Sequence, residues 1–395
     1  MSYLKVYLKP GKEESLQRFH PWIFSGAIAC TDGELEEGET VEIYTSHKQF
    51  IAEGHYQIGS IAVRVLSFEQ ESIDDAFWRR KLEAAYEMRK NIGMFSRADN
   101  NIYRLVHGEG DNLPGLIIDI YGKTAVMQAH SAGMHLERMT IVRILTEIMQ
   151  GEVEHIYYKS ENTLPFKADL HLENSFLIGG TPDNTAKEYG LTFCVDWLKG
   201  QKTGFFIDQR ESRALLEHYA KGRSVLNMFC YTGGFSAYAM RGGAEIVHSV
   251  DSSAKVVEQT NQNITLNFPN DKRHTAYAED AFKYLDLIES DQYDLIVLDP
   301  PAFAKHKDAL RNGLQGYRKL NAKAFETIKS GGILFTFSCS QVVTKENFRT
   351  AVFTAAAISR RNVRILHQLA QPADHPVNIY HPEGEYLKGL VLYVE

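Results

Sequence analysis

Two segments in the second half of the chain place reactive side chains where buried strands are expected to end. One is Asp299-Pro300-Pro301-Ala302-Phe303, and the other contains Cys339. An acid and a thiol that face one crevice would suit methylation of a pyrimidine at C5. In that reaction a thiolate adds to C6, the acid assists at N3, and C5 takes a methyl group before H5 is lost. Asp299 and Cys339 are therefore the candidate catalytic residues.

The cysteines also have a plainer interpretation, because a lone cysteine is commonly a small buried hydrophobic residue. For Cys339 the neighbouring signals favour a nucleophile, whose thiol pKa should lie below the usual value of about 8.5. Cys230 lies in a glycine loop and is better explained by packing, and Cys30 and Cys194 have no chemical context. The four cysteines form no CxxC pair, which argues against a zinc site or a disulfide framework, so we expect no metal.

A glycine loop upstream of these residues predicts a nucleoside site. The stretch 230–235, Cys-Tyr-Thr-Gly-Gly-Phe, follows an apolar run, and an acid, Asp251, ends the next run. Glycines let the backbone turn tightly beside a ligand, and the carboxylate could accept both ribose hydroxyls. Because the G-x-G-x-x-G pyrophosphate cradle is missing, S-adenosylmethionine fits better than NAD. The candidate cofactor contacts here are Asn227, Phe229, Gly233, Asp251, Asp280 and Asp299.

These side chains need a scaffold that brings strand ends together. Apolar runs that alternate with helical segments predict a parallel sheet in a doubly wound, Rossmann-like α/β domain. Ligands bind such folds beyond the carboxyl ends of the strands, at the switch point. The predicted strands are 224–229, 246–251, 295–299 and 333–337, and the predicted helices are 235–241, 254–266 and 318–329.

The first half of the chain follows other patterns. Short strands broken by turns in residues 1–72 predict a small β-barrel. Residues 73–189 combine helical spacing with a hairpin at Tyr121-Gly122, which predicts a small α+β domain. The remainder, 190–395, would form the α/β domain. The individual predictions are strands at 6–8, 39–44, 50–52, 61–66 and 156–158, and helices at 74–93 and 134–149.

Charge limits where a nucleic acid could bind. The chain has 43 Lys and Arg against 50 Asp and Glu, a net charge of −7, although phosphate contacts require basic side chains. Residues 301–330 are the exception, with seven basic and two acidic side chains. An RNA contact should therefore be local, with Phe303 stacking on a base. The candidate RNA contacts are Pro300, Phe303, Lys305, Lys307 and Arg311.

The chain shows no membrane or export signal. No apolar run approaches the roughly 20 residues that cross a bilayer, and the N-terminus lacks the apolar core of a signal peptide. We therefore expect a cytoplasmic protein that does not bind membranes. Its oligomeric state is left open, with a homodimer as one option.

Over essentially its whole length the chain resembles the bacterial 23S rRNA cytosine-5 methyltransferases that carry an N-terminal PUA domain. The resemblance implies 23S rRNA as the partner, S-adenosylmethionine as the cofactor, and a PUA-like, RNA-binding barrel at residues 1–72. It also implies that Gln209 and Arg210 line the cofactor site, that Asp251 and Asp280 hold the cofactor, and that Cys339 is the nucleophile. The motifs that carry the resemblance lie at 20–26, 54–56, 104–116, 203–210 and 386–389.

One position departs from the broader family of RNA cytosine-5 methyltransferases. Those enzymes carry a second cysteine, which helps to release product, where this chain has Ala302. Another base or water must then remove H5, and Glu383 and Glu385 are candidates. Three alternatives stay open: methylation of uridine C5, methylation of a guanine nitrogen on the same scaffold, and a non-catalytic ribosome-assembly factor. The nitrogen reaction needs no thiol, so Cys339 argues against it.

Overall fold

The computed structural model describes residues 3–95, 97–165, 170, 172–180 and 182–395. The chain forms two compact units, each assembled from separated stretches. The first comprises Met1–Lys187, Val195–Ile207 and Ala373–Gly384, and the second comprises Glu188–Cys194, Asp208–Pro372 and Glu385–Glu395. The domain boundaries at 72 and 189 stay predictions. Among the described helices, none is both long and apolar enough to span a bilayer.

The first unit opens with a six-stranded mixed sheet in the order β2-β6-β5-β4-β1-β3. Only β1 and β4 pair in parallel. Val6, Val41, Ile43 and Val63 are fully buried in its core. The elements are β1 (Leu4–Leu8), α1 (Glu14–Gln17), β2 (Trp22–Phe24), β3 (Ile28–Thr31), β4 (Thr40–Tyr44), β5 (Phe50–Tyr56) and β6 (Ile61–Ser67).

A second sheet of the first unit has five strands in the order β11-β10-β9-β8-β7. The helix before it is capped by Asp74, whose side chain accepts hydrogen bonds from the Ala76 and Phe77 amides of the first turn. The single helix predicted at 134–149 is wrong, since two helices meet at Glu137. The elements are α2 (Asp75–Asn91), β7 (Ile102–His107), β8 (Leu116–Tyr121), β9 (Thr124–Ala129), α3 (Ala132–Leu136), α4 (Arg138–Ile148), β10 (His155–Tyr158) and β11 (Ser175–Ile178).

A two-stranded hairpin follows, formed by β12 (Thr185–Glu188) and β13 (Leu191–Cys194). Its turn residues, Tyr189 and Gly190, have φ angles of 45° and 85°. Positive φ at both central positions is what a two-residue hairpin of type I′ requires.

The second unit is built on a seven-stranded sheet in the order β16-β15-β14-β17-β18-β20-β19. Because β14 pairs in parallel with both β15 and β17, the strand order reverses at β14. The elements are α5 (Arg210–Ala220), β14 (Ser224–Met228), α6 (Gly234–Arg241), β15 (Ile246–Asp251), α7 (Ala254–Asn267), β16 (His274–Ala278), α8 (Ala281–Leu287), β17 (Tyr293–Leu298), α9 (Leu310–Thr327), β18 (Ile328–Ser338), α10 (Lys345–Ser359), β19 (Val363–Leu369) and β20 (Lys388–Val394).

The predicted doubly wound α/β fold is confirmed, with two corrections. The sheet is not wholly parallel, because β20 runs antiparallel to both β18 and β19. The helix predicted at 318–329 is also misplaced, since α9 begins eight residues earlier, at Leu310, and ends at Thr327. Ile328 is a fully buried residue of β18, where it pairs with Tyr293 of β17. The predicted helix ran too far because apolar residues keep a helical spacing beyond Thr327, where α9 ends.

Candidate active site

The loop between β14 and α6 carries an unusual backbone. Phe229 and Tyr231 have φ angles of 57° and 47°, a left-handed conformation that is costly for residues with a side chain. Gly233 follows with φ 80°, and a Cβ there would lie 2.6 Å from Thr260 Cγ2. Only glycine fits that position. Strain of this kind persists where the surrounding structure enforces it, which is typical of ligand sites.

Asp251, at the end of β15, is one of the groups that fix this loop. One carboxylate oxygen accepts a hydrogen bond from the Tyr231 amide at 3.2 Å, and the other accepts from the Ser253 amide at 3.1 Å. Each oxygen keeps a further lone pair. The side chain is therefore held in one orientation and can still accept hydrogen bonds from a ribose diol.

Asn227 lies beneath the loop and anchors a buried polar chain. Its Nδ2 donates to Ser236 Oγ at 2.9 Å, Ser236 lies 2.6 Å from Ser249, and Ser249 lies 2.8 Å from His274 Nε2. Its Oδ1 is buried and has no hydrogen-bond partner within the described part of the chain. An unsatisfied acceptor at the switch point could receive a hydrogen bond from a ligand.

Two predicted cofactor residues have structural roles here. Asp280 is exposed, and its Oδ1 caps α8 by accepting from the Lys283 amide at 3.0 Å. Arg210 is fully buried in α5, with its guanidinium 5.8 Å from the centre of the Tyr189 ring. Their contacts with a cofactor stay predictions.

Asp299, directly after β17, has the most perturbed carboxyl group of the site. Burial raises its pKa to about 7, and the negative charge of Asp208 adds to the rise. A hydrogen bond with Gln209 and the positive charge of Arg213 act in the opposite direction. The neutral acid is therefore well populated near neutral pH, and a neutral carboxyl can donate a proton or a hydrogen bond.

Cys339 follows β18 and meets the end of the neighbouring strand. Its Sγ lies 3.9 Å from the Pro300 carbonyl oxygen, so the thiol sits beside the residue that follows Asp299. The side chain is partly exposed. Cys230, by contrast, is buried, and burial raises its thiol pKa to about 12. A thiolate is thus disfavoured at Cys230, in line with its predicted packing role.

Lys388, the first residue of β20, is a further residue beside the site that the sequence did not predict. It is 5% exposed, and its Nζ donates a hydrogen bond to the Ser340 carbonyl at 2.6 Å. Burial lowers its pKa to about 8, and a negative charge on Cys339 would act in the opposite direction. Its place within the motif at 386–389 was the available signal. Tyr386, in the same motif, donates to Asp208 Oδ2 at 2.7 Å.

The predicted RNA contacts lie on the segment that follows β17. Pro300 is buried, and the half-buried Phe303 ring packs on Tyr317 with 4.7 Å between ring centroids. Lys305, Lys307 and Arg311 are all exposed. The packing of Phe303 fixes the start of this segment, and the charged side chains project from the surface beyond it.

The fold fits an S-adenosylmethionine-dependent methyltransferase in its reversed strand β20, its strained loop after β14 and the acid Asp251 at the end of β15. The family model for S-adenosylmethionine-dependent methyltransferases matches residues 176–377, and that for PUA-like domains matches residues 6–68. The protein therefore uses S-adenosylmethionine, and the predicted PUA-like region is confirmed.

Proteins of similar sequence indicate to which methyltransferase family the chain belongs. The chain is 39% identical over 395 residues to the ribosomal RNA large subunit methyltransferase I of Alteromonas mediterranea, covering 99% of this chain and 98% of that protein. The Escherichia coli O139:H28 protein of the same name is 37% identical over 397 residues, covering 99% of each. The chain belongs to the ribosomal RNA large subunit methyltransferase I family.

Solved structures share the fold. A Streptococcus mutans protein described as a SAM-dependent methyltransferase superposes with a TM-score of 0.84 at 23% identity, covering 100% of both chains. A methyltransferase solved in complex with S-adenosylhomocysteine superposes with a TM-score of 0.85, also at 23% identity and 100% coverage of both chains. At this identity the similarity shows the fold alone.

Proposed function

We propose that the protein methylates C5 of a cytidine in 23S ribosomal RNA through a covalent adduct of Cys339. The names of its relatives support large-subunit ribosomal RNA as the substrate. One observation carries the proposal for the base: Cys339 Sγ lies 3.9 Å from the carbonyl oxygen of Pro300, the residue next to Asp299. A nucleophile and an acid that meet at one crevice are what addition at C6 and assistance at N3 require.

The residues of this chain would divide the reaction as follows. The Cys339 thiolate adds to C6 while the Asp299 carboxyl donates its proton towards N3, which takes up the electron pair displaced from the ring. Bound S-adenosylmethionine would supply the methyl group that C5 takes. Loss of H5 to a base then lets the C6–S bond break and the proton at N3 return to Asp299, which regenerates the thiolate and the acid and releases the product. The target base must leave its stack to reach these groups.

Loss of H5 requires a group that accepts the proton. Ala302 offers no group for the task. Glu385 forms an ion pair at 2.8 Å with Lys345, the first residue of α10, which holds its carboxylate at the start of that helix. We propose that Glu385 or a water molecule accepts this proton. Glu383, the other candidate from the sequence, belongs to the first unit, whereas Asp299 and Cys339 belong to the second.

The product nucleoside tests the function directly. Purified protein, unmodified 23S ribosomal RNA and isotopically labelled S-adenosylmethionine would be combined, and the RNA digested to nucleosides for mass spectrometry. We expect 5-methylcytidine at one mapped position. Labelled 5-methyluridine or an N-methylguanosine would instead assign one of the alternative reactions. If no label is transferred to naked or ribosomal RNA, the protein would be a non-catalytic binding factor.

Cofactor affinity should depend on Asp251. We expect Asp251→Ala to weaken S-adenosylmethionine binding by about tenfold or more, because hydrogen bonds to a charged group contribute about 1.5–3 kcal/mol. Isothermal titration calorimetry measures the affinity. Asp286→Ala is the control, since it removes a surface carboxylate of α8 that pairs with Lys323. Equal affinities for the two variants would remove Asp251 from the site.

RNA binding should depend on the basic segment after β17. Reversal of Lys305 and Lys307 to Glu should weaken RNA binding and make its salt dependence shallower, by about 0.7 in log–log slope for each lost contact with single-stranded RNA. Filter binding across a salt series would measure both. A matched control reverses Lys221 and Lys272, which are exposed and precede β14 and β16 at the opposite edge of the sheet. Identical slopes for both double variants would show that the segment is a solvated surface.

We further propose that Lys388 stabilises the Cys339 thiolate. A buried ammonium group beside a thiol favours the ionised sulfur. We expect Lys388→Met to reduce the methylation rate roughly tenfold to a hundredfold and to move the rise of the rate to higher pH. Lys388→Arg should restore part of the rate at neutral pH. If the pH profile keeps its position in Lys388→Met, the lysine acts only in packing.

A further inference from the structure

Three side chains of the first unit bring metal-ligating atoms together. His20 precedes β2, and His381 and Glu383 lie in the segment Ala373–Gly384. The Nε2 atoms of His20 and His381 lie 3.4 Å and 3.7 Å from the same oxygen, Glu383 Oε2. Ligand atoms of all three residues lie within 4.8 Å of one another.

His381 gives the second, independent indication of a ligand. Its side chain is only 4% exposed, and neither ring nitrogen has a hydrogen-bond partner in the described ranges of the chain. The ring packs edge-on against Trp22, with 4.3 Å between the ring centroids. Buried polar groups normally have partners, and an imidazole with both nitrogens unsatisfied is one that calls for an explanation. A cation bound at Nε2 would supply one.

We propose that His20, His381 and Glu383 bind one divalent transition-metal ion, for which Zn²⁺ is the best match. Two imidazoles and one carboxylate are the ligand set of zinc sites that leave a fourth position open to water or another ligand. Ligand atoms about 2.1 Å from a tetrahedral ion lie about 3.4 Å apart, close to the two distances to Glu383. Mg²⁺ and Ca²⁺ prefer oxygen ligands and fit this set poorly.

Binding would require one rearrangement at His20. Its Nδ1 accepts a hydrogen bond from the Trp22 amide at 3.2 Å, so in the metal-free protein the ring proton is on Nε2, facing Glu383. Coordination through Nε2 moves that proton to Nδ1 and gives up the Trp22 bond. Two long hydrogen bonds, of 3.2 Å and 3.4 Å, are thereby exchanged for metal–ligand bonds. The expectation of a metal-free protein rested on the cysteines, and this site contains none.

The ion would join parts of the chain that are far apart in sequence. His20 and Glu383 are 363 residues apart, yet both belong to the first unit. A ligand that binds only the folded state stabilises it by a free energy that grows with the logarithm of its concentration relative to Kd. Metal should therefore raise the melting temperature of the full chain.

Titration of the full-length protein with Zn²⁺, and with Co²⁺ as a spectroscopic probe, tests the site. We expect one equivalent to bind, the visible absorption of tetrahedral Co²⁺, and a rise in melting temperature. Glu383→Gln should weaken binding roughly 100-fold or more, beyond the losses seen when only an outer partner of a ligand is removed. Glu383 is exposed, so this variant should fold, and His20→Gln provides a second ligand substitution if it does not. Glu14→Gln, an exposed acid on α1, is the matched control and should bind like the wild type.

The chain has fifteen histidines, so weak binding of metal ions to surface histidines is the main alternative explanation. Weak binding that is equal in Glu383→Gln, His20→Gln and Glu14→Gln would assign the metal to such surface groups and overturn the site. Absence of a bound equivalent at micromolar Zn²⁺ would do the same. Both results are read from metal binding and melting temperature, so they are independent of the proposed methyl transfer.

Discussion

Cys339→Ala should lower the rate of methyl transfer by at least about 10³-fold, because removal of a covalent nucleophile costs catalysis on that scale or more. Binding of S-adenosylmethionine and RNA should be unchanged, since the side chain is partly exposed at the end of β18. Single-turnover methylation and cofactor titration would separate the two effects. Cys230→Ala is the matched control and should keep substantial activity, because burial holds that thiol in its protonated form.

The covalent step can be trapped as well as removed. RNA that carries 5-fluorocytidine at the target position should form an adduct with the protein that survives denaturation, because fluorine cannot leave as H5 does. The adduct should form with the Cys230→Ala protein and be absent with Cys339→Ala. An adduct of equal yield without Cys339, or an active Cys339→Ala protein, would refute the covalent mechanism and favour N-methylation.

Asp299 should make the ligand-free protein less stable as pH rises from about 4 to about 7. The folded-state pKa of its carboxyl is about 7, against about 3.9 for an unperturbed aspartate. Between these values the folded protein holds a proton that the unfolded chain has lost. The stabilisation is therefore complete below pH 4 and is lost as pH passes through 7. A shift of about three units corresponds to at most about 4 kcal/mol.

Asp299→Asn isolates this effect, because the amide stays neutral throughout. Urea denaturation from pH 4 to pH 8 should show the variant gaining stability over the wild type as pH rises, by up to about 4 kcal/mol. Burial also raises the pKa of Glu53 to about 7, so the wild-type curve contains both groups, and only the difference between proteins reports Asp299. Glu53→Gln provides the comparison. Parallel curves for wild type and Asp299→Asn would contradict the raised pKa.

Much of the α/β scaffold and its strand ends could be predicted from sequence because the signals are local. A buried parallel strand is a short apolar run, so the positions of Asp251, Asp299 and Cys339 at strand ends could be predicted one segment at a time. Lys388 could not. It reaches the Ser340 carbonyl only because β20 inserts antiparallel beside β18, and pairing over such a sequence distance has no local signature.

The pKa shift of Asp299 could not be predicted from the sequence either. The pKa of Asp299 depends on Asp208, Gln209 and Arg213, which precede it by more than 80 residues and approach it only in the folded unit. Short strands were missed for a different reason: β2 has three residues and β3 has four, too few to display an alternating pattern. Their pairing comes from the sheet and not from their own sequence.

The interleaved construction of the two units has a consequence for biosynthesis. The first unit begins at Met1 but includes Ala373–Gly384, and the second is completed by Glu385–Glu395. At about 5–20 residues per second, a ribosome needs roughly 20–80 s to reach residue 384. During that time the early sheets are made without their last segment. Neither unit has all of its segments before these stretches are made, and a nascent chain stalled after residue 372 would leave both incomplete.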